Sequence, residues 1–270
     1  MHKRIRLNAA ALAGLLIILF FLIIAVFAPV IAPYDPKEMI ASYLPPSREH
    51  LLGTNDVGQD IFSEMVYGTR VSLYIGIFAA FIVTGVGTVL ALVSGYFGGV
   101  TDKIITAITN IAMAVPSLPL TVLLVAYLNP GKWSLIIAIS VTAWTGTARI
   151  LRSRVMQLKE LPFIKIEKTM GVHPAVILFK HILPNIKDII LTRGAMAISG
   201  AMMTEAGLSF LGLGEFGEKS WGSVLHYAFF RNSIMKKQYW WYVPPIICIC
   251  VCVFGFMLIG YYGKIKKGGE

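Results

Sequence analysis

Few residues of this 270-residue chain have the type and spacing that chemistry requires. Gly212 to Ser220, GLGEFGEKS, come close to the phosphate-cradling pattern G-x-x-x-x-G-K-[ST]. Glu218 stands where that pattern needs lysine, and no strand leads into it, so the segment would set a carboxylate against phosphate. His173, His181 and His226 form no His-x-x-x-His pair. Cys248, Cys250 and Cys252 recur at every second position, which splays them by roughly 200° per step around a helix and offers no shared metal face. The acids Asp35, Glu38, Glu49, Asp56, Asp60 and Glu64 do not follow the spacing of a calcium loop. A G-x-S-x-G elbow and paired carboxylates in an apolar setting are both missing. The chain is therefore expected to do no catalysis, with no cofactor or metal of its own. Any ATP and magnesium chemistry is assigned to other chains. Glu205 is the one acid inside an apolar run; it either touches a substrate or makes a structural hydrogen bond near Thr204 and Ser209.

The elements that would position these residues are membrane spans. The chain is 56% hydrophobic and 14% charged, with a mean hydropathy of +0.72. Soluble domains carry about a quarter charged residues. A net charge of +10 could fit nucleic acid, but the cations lie in loops between apolar runs, which fits the positive-inside rule and membrane lipid instead. The fold class expected is an all-α polytopic membrane protein of six spans. They fall near residues 9–31, 71–97, 104–128, 133–151, 189–211 and 240–263. The division is an N-terminal tail and first span (1–33), an extracytoplasmic loop (34–70), a core of five spans (71–263) and a basic tail (264–270). The 34–70 loop reads as solvated, with a short interfacial helix near Ile61 to Tyr67. Segments assigned inside hold sixteen Lys and Arg against five acids, and those outside hold eight of each, so both termini are expected in the cytoplasm of a prokaryotic cell. Gly76, Gly85, Gly87 and Gly95 would allow close helix approach. Pro116 and Pro119 kink the third span, as packing or as a wall of a pathway. Arg149 and Arg152 are expected to reach toward inner headgroups.

Arg152 to Lys187 is the longest inner segment, and it is strongly cationic. Pro162 suits the first turn of a helix running to about Met170 and stopping at a left-handed Gly171. Phe163, Ile166 and Met170 share a face, with Lys165 and Lys168 elsewhere and Glu167 between them. A second short helix is expected from Pro174 to just before Pro184. Such a pair could lie on anionic lipid or enter a groove on a partner protein.

MGVHPAVILFKHILPN (170–185), with its Gly171 to Leu183-Pro184 spacing, resembles the cytoplasmic signature loop of binding-protein-dependent ABC transporter permeases. HLLGTNDVGQDIFSEMVYGTRVSL (50–73), GYFGGVTDKI (95–104), AVPSLPL (114–120), TARILRSRV (147–155), EAGLSFLGLG (205–214) and SWG (220–222) resemble the C-type permeases of the dipeptide, oligopeptide and nickel importers, in matching order over nearly the whole chain. The resemblance implies a type I importer permease that pairs with a homologous permease, two ATPase subunits and an external binding protein. It makes Phe163, Lys165, Ile166, Glu167, Met170, Gly171, His181, Leu183 and Pro184 a coupling loop, and Pro116, Pro119 and Glu205 pathway candidates. The substrate implied is a di- or oligopeptide, with nickel or a metal chelate as the alternative. Lys165 departs from the family pattern, which has glutamate there. A stand-alone secondary transporter would need internal repeats and intramembrane charge pairs, and the sequence shows neither.

Overall fold

The computed structural model describes residues 8–215 and 217–263. Residues 1–7 and 264–270, on which the basic ends expected from the sequence fall, lie outside the described residues. The described residues contain helices and no named strand, with a single bridge between Thr54 and Asp60.

Helix α1 (Ala9–Val26) starts where the Asn8 side chain accepts from the Ala10 N–H. A short α2 (Ala28–Ile31) follows, with Pro29 in its first turn. The 37-residue α3 (Ile61–Phe97) is the hub, packed against α6 and α9 and also against α1 and α10. At ~1.5 Å per residue it is far longer than the ~30 Å hydrocarbon core. The short interfacial helix and the second span expected separately are thus one rod. Asp60 makes this possible: its carboxylate accepts from the Ser63 N–H and hydroxyl at 2.8 Å, capping the helix ten residues before the predicted span.

Gly98 and Gly99, both at positive φ, turn the chain into α4 (Gly99–Ala114). Then α5 (Ser117–Leu128) departs at 87° to α4. Pro116 has no N–H and forces the preceding Val115 into an extended conformation (φ −82°, ψ 128°), so a gentle kink gives way to a break. Among the described residues five helices are long and apolar enough to cross a membrane, and up to six spans result if this bent pair is counted as one.

Helix α6 (Lys132–Lys159) leads to α7 (Pro162–Thr169). Beyond it, α8 (Pro174–Val176), a π-helical stretch Ile177–Ile182, α9 (Leu183–Leu208) and a second π stretch Ser209–Leu213 run on as one helical segment that kinks at Gly212 (φ +83°). Pro184 therefore does not follow the end of a short helix, as its sequence position predicts. The π turn just before it shifts the bonding, the Leu183 N–H donating to the Leu178 carbonyl, and Pro184 sits in the first turn of α9 without ending the segment. Finally come α10 (Trp221–Phe230) and α11 (Tyr239–Tyr262).

Three apolar clusters hold the bundle. Trp221, Trp241 and Phe256 centre one between α1, α3, α10 and α11, and Leu135, Ile136 and Ile139 centre a second along α3 and α6. The third, around Leu151, Ile177 and Ile186, lies at the far end of α3. Close approach uses three of the four predicted glycines. A Cβ on Gly76 would meet Met202, on Gly87 Thr147 and on Gly95 Val155, whereas Gly85 faces open space.

Candidate functional site

The basic segment 152–187 builds a short helix with two unlike faces. Pro162 occupies the first turn of α7, and Gly171 (φ +78°) closes it: the Val172 N–H donates to the Glu167 carbonyl and the Gly171 N–H to Lys168. Ile164, only 2% exposed, anchors one face to the cluster formed by α3, α6 and the Ile177–Ile182 turn. Burying a side chain of that size is worth roughly 1.5–3 kcal/mol. The opposite face is left bare, with Phe163 44%, Ile166 60% and Met170 76% exposed.

Several of the charged residues, Lys165 and Glu167 among them, are engaged within the chain. Lys165 Nζ lies 2.8 Å from Glu160, and this lysine holds the Glu160 carboxyl below its usual range. Glu167 meets His181 Nε2 at 2.9 Å, and the His181 ring packs edge-on to Phe163. The loop is thus braced across its own turn. Leu183 is half-buried beside the same cluster, while Gly171 and Pro184 are exposed. Arg152 does not reach outward as predicted. It forms two hydrogen bonds to Asp102 at 2.5 and 2.6 Å, and Arg149 donates to Asn110 at 3.0 Å, so both arginines fasten α6 to α4. A cation next to a side-chain acceptor on a packed helix has no reason to seek headgroups.

Of the other candidates, Glu205 is buried between helices. It accepts from Ser209 at 2.7 Å and from Ser72 of α3 at 3.2 Å, while Ser72 Oγ in turn accepts from the Trp221 N–H. Thr204 instead donates to the Gly200 carbonyl. These contacts match the hydrogen-bonding role considered for Glu205, joining α9, α3 and α10. Pro116 and Pro119 are exposed at the α4–α5 break, whereas Glu205 is buried.

At the opposite end of α3 lies a feature that the sequence reading missed: a cleft of about 930 Å³. Tyr67, Arg70 and Tyr74 line it from one face of α3, and Lys132, Lys219 and Tyr227 lie across from them. Its wall includes Glu64, one of the acids predicted to be solvated, which is buried with Asn55 and Lys219 as partners; Asp60, outside the wall, is likewise buried, with His50 as its partner. Gln59 also accepts from Lys219, at 2.6 Å. Lys132 Nζ lies 2.5 Å from Glu218 and 3.5 Å from Glu215. Glu218, which stands where a phosphate loop needs lysine, is thus half of an ion pair. Among the described residues no three His, Cys, Asp or Glu side chains converge to hold a metal. The signal that could have pointed to the cleft is the i, i+3, i+7 spacing of Tyr67, Arg70 and Tyr74 on an extension of the second span.

Residues 87–263 match the family model for the binding-protein-dependent transport system inner membrane component. The chain belongs to that permease family. Residues 1–46 match a second model, the N-terminal TM domain of oligopeptide transport permease C. The chain is similar to the oligopeptide transport system permease OppC of Bacillus subtilis, at 37% identity over 95% of this chain and 84% of that one. It is similar to the dipeptide permease DppC of the same organism, at 33% over 96% and 81%, and to DppC of Haemophilus influenzae, at 35% over 94% and 88%. An inward-facing structure of the MetNI methionine ABC transporter shares the fold, with a TM-score of 0.60 at 17% identity over 74% of this chain and 94% of that one. The chain is thus a membrane permease subunit with the ABC importer fold, and a stand-alone secondary transporter is set aside.

Proposed function

We propose that this chain is the C-type permease of a peptide importer, paired with a second, homologous permease and driven by two ATPase subunits that bind ATP and magnesium. The relatives named for oligopeptide and dipeptide transport support the substrate class. The α4–α5 pair counts as a span in this reading, giving six spans with both termini in the cytoplasm of a prokaryotic cell. The segment 152–187 then faces the ATPases and the 930 Å³ cleft faces a substrate-binding protein outside.

The observation that carries the proposal is the two-faced α7. Ile164 fixes it to the bundle, and Phe163, Ile166 and Met170 present an unoccupied apolar ridge at the end of α6 and the start of the α8–α9 segment. A ridge of this kind fits a groove on an ATPase. Closure of the ATPases would press on it and, through Ile164, rock the helices it joins. Lys165 and Glu167 are held by Glu160 and His181, so the ridge rather than an interfacial ion pair carries the contact.

The test is the purified complex in proteoliposomes. Gly171→Arg, or Ile166→Glu together with Phe163→Ala, is expected to leave the protein in the membrane and to lower peptide uptake per ATP hydrolysed at least tenfold. Unchanged uptake with unchanged ATPase activity would sink the coupling role of α7.

A further inference from the structure

The charged residues of the cleft are mostly satisfied among themselves. Asp56 pairs with Arg231 at 2.7 Å, Glu64 with Lys219, and Glu215 and Glu218 with Lys132. Arg70 and Lys37 are different. Both are exposed on the cleft wall and neither side chain has a hydrogen bond or an ion-pair partner among the described residues; of the two, Arg70 is the one carried on a packed helix. It lies nine residues into α3, about 13 Å from Ile61 at ~1.5 Å per residue, between Glu64 and Tyr74 of the same helix, which also line the cleft.

Its neighbours narrow the chemistry it would meet. Tyr67 and Tyr74 flank it one turn away on each side. Across the cleft the Tyr227 ring lies under the Lys219 ammonium at 4.9 Å, and His226 Nδ1 is held by the Phe210 carbonyl at 2.7 Å. A planar, unengaged fork with a tyrosine one helical turn away on each side fits a carboxylate attached to a partly apolar body. The cleft volume lies within the range of small-ligand sites and would take a short peptide. Asp56, Glu64, Glu215 and Glu218 are committed to arginine or lysine, which leaves Asp35 alone among the lining acids and disfavours a bare metal cation.

We propose that the cleft is a binding site for the peptide on its way into the membrane, with Arg70 receiving the C-terminal carboxylate. This rests on the peptide reading given above and adds a residue and a chemical group to it. Because the carboxyl terminus is common to every free peptide, such a contact serves substrates of any sequence.

The test uses the whole importer in proteoliposomes, with its binding protein saturated by either a free-acid tripeptide or the C-terminal amide of the same peptide, both held by that protein. Arg70→Gln is expected to lower uptake of the free acid about tenfold, the loss of one charge-assisted contact, and to leave the amide unchanged. Arg70→Lys should recover part of the difference. Equal losses for both peptides would assign Arg70 to docking of the binding protein and overturn the proposal, as would no loss for either. Failure of the unaltered complex to import either peptide would instead overturn the peptide reading beneath it. Size-exclusion profiles of the variants check that the complex remains assembled.

Discussion

Hydrogen atoms in place of side chains decide how α3 meets its neighbours. A Cβ on Gly95 would stand 2.8 Å from Val155 and one on Gly87 2.9 Å from Thr147, so α6 lies against α3 with no room for a methyl group at either place. Gly95→Val is therefore expected to destabilise the protein by about 1–3 kcal/mol, read as a lower melting midpoint in detergent. Gly85→Ala is the matched comparison. It faces open space and should be neutral or raise stability by up to about 1 kcal/mol, through helix propensity alone. If both variants melt alike, the close approach of α6 is not what these glycines provide. Sequence patterning named all four glycines but could not separate Gly85 from the others, because that distinction depends on which side of α3 carries α6 and α9.

Among the elements, α7 was the most legible, and the reason is local. A proline that suits the first turn and a glycine that suits the left-handed position lie within ten residues of each other, and no distant part of the chain has to agree for them to act. The fastening of α4 was not legible. Asp102 and Arg152 are fifty residues apart, and the lone arginine read as one that reaches for headgroups. In the fold this pair joins the first turn of α4 to the end of α6 that feeds α7. Asp102→Asn is expected to remove about 1 kcal/mol of stability, because both groups keep some contact with water. The exchange Asp102→Arg with Arg152→Asp should restore part of it. A double-mutant cycle with no coupling energy would show that the two residues act independently. The π turn before Pro184 was illegible for another reason: its cause is the apolar seat that Ile177 and Ile182 occupy beside Leu151, and the proline alone signals only an ending.

For the whole molecule, hydropathy found the apolar runs because each crossing of a bilayer core asks for about 20 apolar residues. It could not find the cleft, whose walls come from residues near 67–74, 132 and 213–231 and meet only when α3, α6 and α10 are packed. Nor could it fix the number of spans, since a proline after an apolar run predicts a change of direction but not an 87° one. The bundle also has a seam that hydropathy does not mark. Helices α1 and α11 cross at Gly14 and Gly255, where an added Cβ on Gly14 would stand 2.7 Å from the Gly255 carbonyl oxygen. Gly255→Leu should part them, and the expected sign is faster proteolysis of the variant in isolated membranes. Digestion at the unaltered rate would show that the seam is not needed.

That seam has a consequence for biosynthesis. The first described helix to leave the ribosome packs chiefly on the last one, so during translation α1 must wait in the lipid, its glycine notch unfilled, while more than two hundred residues follow it. A nascent chain arrested before α11 would keep that notch open, a mark by which membrane quality control could tell an interrupted product from a finished one.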